Sequence, residues 1–179
     1  MTLQPTGAAN DGFDPPPEDR EPSEYAGYLL HLAARLRESA LDDRLAPLGL
    51  SATRCRVLAI IRRLSDCTMG ELSFFSTIDR TTLTRIVDQL AGLGLVERST
   101  PAGDRRKVTL ALTDKGARLH QRAIAIIGQV NRGVFAAVPE GRLREATRVL
   151  QAAIGSVVTD PTDLQMLLAF SRTRESPAG

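Results

Sequence analysis

From Tyr25 onward, apolar residues recur at helical spacing along most of the chain. Side chains three and four positions apart lie on one face of a helix, so each such run predicts a helix with one buried face. Ser51 and Thr68 are good N-cap residues and mark the starts of the second and third of these helices. The first three predicted helices cover about residues 25–40, 51–64 and 69–75.

A fourth helix, predicted from Asp79 to Ala91, has two complementary faces. Its apolar stripe consists of Leu83, Ile86, Val87 and Leu90. Its polar face carries Thr81, Thr84, Arg85 and Asp88. Gly92 and Gly94 follow, as is typical of a helix end. One face therefore suits a protein core, whereas the other offers hydroxyl groups and a guanidinium to a polar partner.

After the fourth helix the pattern changes from helical to alternating. Residues 95–99 and 107–112 predict two short strands joined by the turn residues 100–104, with Val108, Leu110 and Leu112 on one face. Residues 65–67 predict a turn. Thr113 is the expected N-cap of a long helix that reaches about residue 138, and a last strong helix covers residues 142–158. The chain is therefore predicted to be mainly α with a small β-hairpin.

Charge is unevenly distributed along the chain. The 179 residues carry 23 Lys and Arg and 21 Asp and Glu, a net charge of +2. The first 24 residues are rich in proline and carry a net −5, so the remainder carries +7. We expect residues 1–22 to be disordered because they have little apolar surface to bury. The basic remainder permits a polyanionic partner.

Composition and motifs exclude several classes of protein. Hydrophobic residues at 42% and charged residues at 25% exclude fibrous and wholly disordered chains. No apolar run approaches the roughly 20 residues of a membrane-spanning helix, and the N-terminus lacks the pattern of a signal peptide. His31, His120, Cys55 and Cys67 form no metal-binding spacing, and no phosphate loop or nucleophile elbow is present. We expect a soluble cytoplasmic protein that is not an enzyme and binds no metal or cofactor.

The second, third and fourth helices, followed by an arginine-tipped hairpin, form the layout of a winged helix. A helix fits the major groove of B-DNA, where its side chains reach base edges. Arg80 and Arg85 are candidates for contacts to phosphate or guanine, and the hydroxyls of Thr81, Thr82 and Thr84 for contacts to phosphates or bases. The hairpin tip is placed to follow the DNA backbone, where an arginine enters the narrow minor groove.

The stretch from Leu50 to Gly116 resembles the MarR family of bacterial transcriptional regulators. The matching segments are Glu71-Leu72, residues 79–90, residues 93–98, Gly103-Asp104-Arg105-Arg106-Lys107 and residues 112–116. The last two segments are the most specific. One departure is the segment 73–78, where Phe74 and Phe75 replace the family's usual small, leucine-bearing turn. These two side chains either tilt the recognition helix or fill core space, and we favour core filling.

The resemblance implies a homodimer that pairs through the first helix and the two C-terminal helices. It implies a pseudo-palindromic operator in double-stranded DNA, with half-sites about 34 Å apart. It also implies that Asp104 braces Arg106 and that Arg105 or Arg106 enters the minor groove. The alternative is that Arg105, Arg106 and Lys107 form a solvated loop that makes no contact with DNA. The predicted DNA-binding residues are Thr77, Arg80, Thr81, Thr82, Thr84, Arg85, Arg98, Asp104, Arg105, Arg106 and Lys107.

The resemblance also suggests a sensor, because members of the family bind anionic aromatic ligands and some detect oxidants through cysteine. Candidate ligand-binding residues on one side of the first helix are Tyr25, Tyr28, His31 and Arg35. Packing in a dimer interface is the alternative that we favour for them. Cys67 precedes a helix N-terminus, which can lower a thiol pKa, but we favour inert thiols for both cysteines.

The sequence therefore predicts a dimeric winged helix-turn-helix transcription regulator, a repressor released by a small aromatic or anionic ligand. The alternatives are a redox-responsive regulator that uses Cys55 or Cys67, and a winged-helix module that binds protein. The predicted organisation is an acidic leader at 1–22, a dimerisation helix at 23–48, the winged helix-turn-helix at 49–116, C-terminal dimerisation helices at 117–158, and a tail with a possible short helix at 159–179.

Overall fold

The structure, a computed structural model, describes residues 21–100 and 108–172. In this part of the chain the fold is mostly helical with a small antiparallel sheet. The helices are α1 (Pro22–Leu45), α2 (Ala52–Leu64), α3 (Met69–Ser76), α4 (Arg80–Gly92), α5 (Asp114–Val134), α6 (Glu140–Val157) and α7 (Pro161–Arg172), with a 3₁₀ turn at Ala46–Leu48. The strands are β1 (Cys67–Thr68), β2 (Val96–Ser99) and β3 (Thr109–Leu112).

Side chains cap the helices at the predicted N-cap positions. The Arg54 N–H donates to Ser51 Oγ at 3.2 Å at the start of α2. At α3 the Glu71 N–H donates to Thr68 Oγ1 at 3.2 Å while the Thr68 N–H donates to the Glu71 carboxylate at 2.8 Å, which completes a capping box. These bonds satisfy N–H groups that have no partner within the helix.

The sheet has three strands in the order β1-β3-β2, all antiparallel. Cys67 lies opposite Leu110, so the prediction of a plain turn at residues 65–67 is wrong at its last residue. Ser65 and Asp66 do turn the chain, with positive φ angles of 44° and 48°. A strand of two residues has no periodicity to detect in the sequence, and its pairing depends on a strand more than 40 positions away.

The alternation predicted for the returning strand holds only in part. Leu110 is buried and Leu112 packs against the core, but Val108 precedes β3 and is exposed. Thr109 is buried instead, with its hydroxyl 2.9 Å from the hydroxyl of Ser99. Both faces of β3 are therefore covered where it begins.

The described core lies in the middle of the chain. Its buried members run from Leu41 at the end of α1 to Ala123 in α5. The first half of α1 and the whole of α6 contain no buried residue. The large apolar side chains exposed on these helices and at the end of α5 are Tyr28, Leu29, Leu30, Leu32, Leu36, Val134, Val149, Leu150, Ile154 and Val157.

The end of α4 is joined to the start of α5 through three consecutive backbone carbonyls. Leu93 O accepts from Lys115 Nζ at 2.8 Å, Gly94 O from Thr113 Oγ1 at 2.7 Å, and Leu95 O from the Thr113 N–H at 3.1 Å. Gly116 lies against the same backbone, since a Cβ built there would be 2.0 Å from Leu95 O. The segment 112–116 therefore forms a close junction in which only glycine fits at its last position.

We expect Gly116→Ala to lower the free energy of unfolding by about 1–3 kcal/mol or more, because backbone atoms must move apart to admit the new methyl group. Gly128→Ala in the same helix is the matched control, since its Cβ would meet only the end of the flexible Arg132 side chain at 3.4 Å. The control should be neutral or more stable by up to about 1 kcal/mol. Urea unfolding at one fixed protein concentration measures both, and equal stabilities would contradict the close contact at Leu95.

Candidate nucleic-acid interface

Helix α4 divides its side chains between the core and the surface as its sequence pattern predicts. Leu83, Val87 and Leu90 are fully buried. The predicted contact residues Arg80, Thr81, Thr82, Thr84 and Arg85 are all exposed. Burial of one stripe fixes the rotation of the helix about its own axis, so the opposite stripe is held outward.

A compact corner joins α3 to α4 and sets where the exposed face begins. Ser76 is buried, and its hydroxyl accepts from the Ile78 N–H at 3.3 Å, while Ser73 Oγ donates to Ile78 O at 3.2 Å. Thr77 ends α3 in the left-handed conformation with a φ of 55°, and its hydroxyl donates to Ser76 O at 2.6 Å. Thr77 is exposed, so its oxygen still has acceptor capacity toward a ligand.

Asp79 caps the N-terminus of α4. Its carboxylate accepts from the Thr82 N–H at 2.9 Å, and this bond is the main reason why the pKa of Asp79 lies below its usual value. The ionised form therefore prevails at neutral pH and completes the cap. The sequence pattern predicted Asp79 as the first residue of the helix. In the structure the helix begins at Arg80, and Asp79 is the N-cap just before it.

The hydroxyl of Thr84 is already engaged within the helix. Thr84 Oγ1 donates to Arg80 O at 2.8 Å. Its exposed face therefore presents a methyl group and oxygen lone pairs rather than a free donor. Such a residue can accept a hydrogen bond from a base amine or contact the thymine methyl group.

An open groove of about 550 Å³ lies between α4, the sheet and the start of α3. Its lining brings together three of the predicted contact residues, Arg80, Thr84 and Arg98. The other lining residues are Thr68, Met69, Gly70 and Val108. Two guanidinium groups beside a helix start make this a favourable place for a phosphate.

Two side chains outside α4 contact the polar face of its second half, and sequence reasoning missed both contacts. Arg98 on β2 donates to the Asp88 carboxylate at 2.5 Å. Arg54 on α2 donates to Gln89 Oε1 at 2.7 Å and to Gly49 O at 3.3 Å. Arg98 was predicted only as a DNA contact. The Arg98–Asp88 and Arg54–Gln89 pairs have no signal in the local sequence because each depends on how the elements pack.

The predicted wing tip is not part of this geometry. Asp104, Arg105, Arg106 and Lys107 lie outside the described residues. Their roles in DNA binding, including the bracing of Arg106 by Asp104, stay predictions from the sequence. The strands β2 and β3 that flank these residues in the sequence are described, and β2 lies against α4.

The candidate ligand-binding residues lie along the first half of α1. Tyr25 is half-buried, whereas Tyr28, His31 and Arg35 are exposed. Exposed leucines share this half of the helix, which favours the interpretation as a surface for another helix. Farther along α1, Arg37 Nε donates to Asn131 Oδ1 at 2.8 Å and ties the helix to α5.

Both cysteines are buried and unpaired by disulfide. Burial, with a smaller contribution from Asp42, raises the pKa of the Cys55 thiol to about 11. Burial, with a smaller contribution from Glu71, raises the pKa of the Cys67 thiol to about 12. The lowered pKa considered for Cys67 is therefore wrong, because removal from water outweighs the nearby helix N-terminus.

Residues 21–100 and 108–172 contain no group of three or more His, Cys, Asp or Glu side chains arranged to hold a metal ion. None of their helices is long and apolar enough to cross a membrane.

Comparison with known proteins gives a consistent result. Residues 50–108 match the model of the MarR family. The multiple antibiotic resistance protein MarR of Escherichia coli K12 is 33% identical over 103 residues, which are 58% of this chain and 72% of that protein. A cysteine-to-serine mutant of E. coli MarR complexed with operator DNA superposes with a TM-score of 0.66 at 27% identity, over 72% of this chain and 93% of that one. CouR of Rhodococcus jostii RHA1 bound to p-coumaroyl-CoA superposes with a TM-score of 0.65 at 25% identity. The superposition covers 73% of this chain and 92% of CouR.

Both thiols should react slowly in the folded protein, because the reactive thiolate is scarce at a pKa near 11 or above. At pH 8 we expect alkylation by iodoacetamide at least about a hundredfold slower than in the urea-unfolded chain, which corresponds to a rise of about two pKa units for Cys55. The rate should increase with pH until the raised pKa is reached. Rapid labelling of either cysteine at pH 8 would reopen the redox alternative.

Proposed function

The chain belongs to the MarR family of transcriptional regulators, and from this premise we propose that it is a homodimeric repressor. Its operator is a pseudo-palindromic site in double-stranded DNA. A small aromatic or anionic ligand releases it from that site. The protein acts in the cytoplasm and needs no metal or cofactor for binding.

The observation that carries this proposal is the exposed face of α4. It presents hydroxyls and guanidinium groups at helical spacing, on a helix whose opposite stripe is fully buried. A helix held in this way enters the major groove as a rigid unit, so its side chains meet bases without first being ordered. Arg80 and Arg98 in the groove beside it take phosphates, while Thr84 faces the bases.

The wing supplies the second DNA contact in this proposal. The β2–β3 hairpin leads to Arg105 and Arg106, and one of them enters the minor groove next to the site read by α4. Lys107 adds charge toward the backbone. This assignment is supported by the family resemblance and by the position of β2, which pairs with β3, beside α4.

A homodimer is supported by the exposed apolar surface of α1, α5 and α6. Val149, Leu150, Ile154 and Val157 lie on one side of α6, and Val157 is 80% exposed. Large apolar side chains exposed together on one side of a helix are typical of a protein–protein interface. A two-fold pair places the recognition helices about 34 Å apart, one turn of DNA.

Ligand release is the finer part of the proposal. It is supported by the similarity to CouR, whose structure contains p-coumaroyl-CoA. Tyr25, Tyr28, His31 and Arg35 are the candidate contacts on α1. A ligand that binds better to a dimer with the wrong separation of recognition helices shifts the population away from DNA.

Neither alternative function gains support. A winged helix that binds protein needs apolar anchors on its exposed recognition face, and the large exposed apolar residues of the described chain do not include any in α4. A cysteine switch needs an accessible thiolate, whereas Cys55 and Cys67 are buried with raised pKa values.

The proposal is tested by fluorescence anisotropy on the duplex upstream of the protein's own gene, beside a scrambled duplex, at several salt concentrations. We expect selective binding to the first duplex, with a log–log salt slope of about −0.9 for each phosphate neutralised. Because the operator can lie elsewhere in the genome, duplexes selected from a random pool for binding to the protein are tested in the same way. Equal, weak binding to every duplex, including the selected ones, would refute the proposed function.

Thr84→Val should lower sequence preference while leaving the fold intact. Valine matches the shape of threonine but removes the oxygen that can accept from a base, so we expect the ratio of specific to scrambled affinity to fall about fivefold or more. Thr147→Val on α6 is the matched control, because Thr147 is also exposed and its hydroxyl also donates four residues back, to Leu143 O at 2.8 Å. Both variants should unfold within about 0.5 kcal/mol of the wild type. An unchanged ratio for Thr84→Val would remove this residue from the base-reading set.

A further inference from the structure

Helix α7 contacts the helix-turn-helix unit through a column of aromatic rings. Phe170 on α7 stacks on Phe75 of α3, with ring centroids 4.4 Å apart and planes at 24°. Phe74 meets Phe75 edge-on at 5.0 Å. Phe75 and Phe170 both pack against the hydrophobic core, so the two phenylalanines of the unusual 73–78 segment are held from outside by a helix far along the chain.

Arg63 of α2 also contacts the Phe170 ring. Its guanidinium carbon lies 3.9 Å from the centre of the Phe170 ring, and its Nη2 donates to Ala169 O at 3.3 Å. Arg63 is in the last turn of α2, and Ala169 is in the last turn of α7. The guanidinium therefore lies at the negative end of α7 and on a ring face, two arrangements that favour a cation.

The column is linked mechanically to the recognition helix. Phe75 is next to Ser76, whose buried hydroxyl bonds the Ile78 N–H in the corner before α4. The Ser73 hydroxyl bonds Ile78 O across the same corner. A shift of α3 at Phe75 is thus transmitted to the start of α4, because the corner has little freedom to absorb it.

We propose that Phe170 and Arg63 are positioning residues for DNA recognition. Helix α7 continues the run of α5 and α6, whose exposed apolar surface forms the dimer in the function proposed above, and this inference rests on that function. By holding Phe75, the two residues fix the angle of the α3–α4 pair to the dimer-forming helices. They thereby set the separation of the two recognition helices and the half-site spacing that the dimer accepts.

The central test compares Phe170→Ala with Met166→Ala, an exposed position on the same helix. Each variant is titrated on the preferred duplex and on duplexes with one or two base pairs inserted between the half-sites. Without the ring stack and the cation–π contact, we expect the DNA-competent arrangement of α3 to be up to about tenfold less populated, and the affinity for the natural spacing to fall in proportion. We expect that loss together with a weaker penalty for the inserted base pairs, whereas Met166→Ala matches the wild type.

Two further variants separate positioning from simple stability. Phe170→Tyr keeps the ring and should restore the wild-type spacing preference. Arg63→Gln removes the charge but keeps a hydrogen-bond donor, and should show a smaller loss of spacing preference than Phe170→Ala. Equal weakening of Phe170→Ala on every duplex, or behaviour identical to Met166→Ala, overturns the inference.

Hydrogen exchange in the free protein gives a readout that needs no DNA. In Phe170→Ala we expect faster exchange for the amides of α3 and the 76–79 corner, with the first half of α2 unchanged. If the wild type binds no duplex, the proposed function fails and this measurement still tests whether the column holds α3. Unchanged protection of α3 in that variant overturns the positioning role.

Discussion

The end of α4 and the start of α5 share one set of backbone contacts, and the rest of the DNA-binding half depends on it. Leu93, Gly94 and Leu95 leave three carbonyls at a helix end, where such groups have no partner within the helix. Thr113 and Lys115 satisfy all three, while Thr113 also caps its own helix. Because Gly116 has no side chain, α5 approaches the Leu95 backbone, just before β2, closely enough for these bonds to form.

This junction explains how a helix with a polar outer face keeps a defined position. Asp79 fixes the start of α4, and the carbonyls that follow fix its end. Between them the buried stripe supplies most of the stabilisation, since each fully buried leucine or valine contributes about 1.5–3 kcal/mol. The Asp88–Arg98 and Gln89–Arg54 contacts are half-exposed or exposed and contribute about 0–1 kcal/mol each, so they adjust the outer face rather than hold the helix.

Features of the fold that arise from local chemistry were predictable, and those that arise from packing were not. The two faces of α4 follow from the spacing of its residues. The caps follow from the residue types at Ser51, Thr68 and Thr113, whose hydroxyls each accept from the N–H three positions later. Strand β1 escaped detection because two residues show no period. The pairing of Arg98 with Asp88 and the docking of Phe170 on Phe75 join positions 10 and 95 apart, and nothing near either residue identifies its partner.

The distribution of buried residues divides the described chain into one part with a closed core and another whose apolar residues are exposed. Between Leu41 and Ala123 a continuous core is closed within one chain. The outer half of α1 and all of α6 instead leave their apolar residues in water, on the sides of the helices that no described element covers. Covering such surface contributes about 25 cal/mol for each Å² of apolar area removed from water, a contribution that these helices do not obtain from the described part of the chain. The outer half of α1 and all of α6 thus lack the enclosed packing that organises the DNA-binding half within one chain.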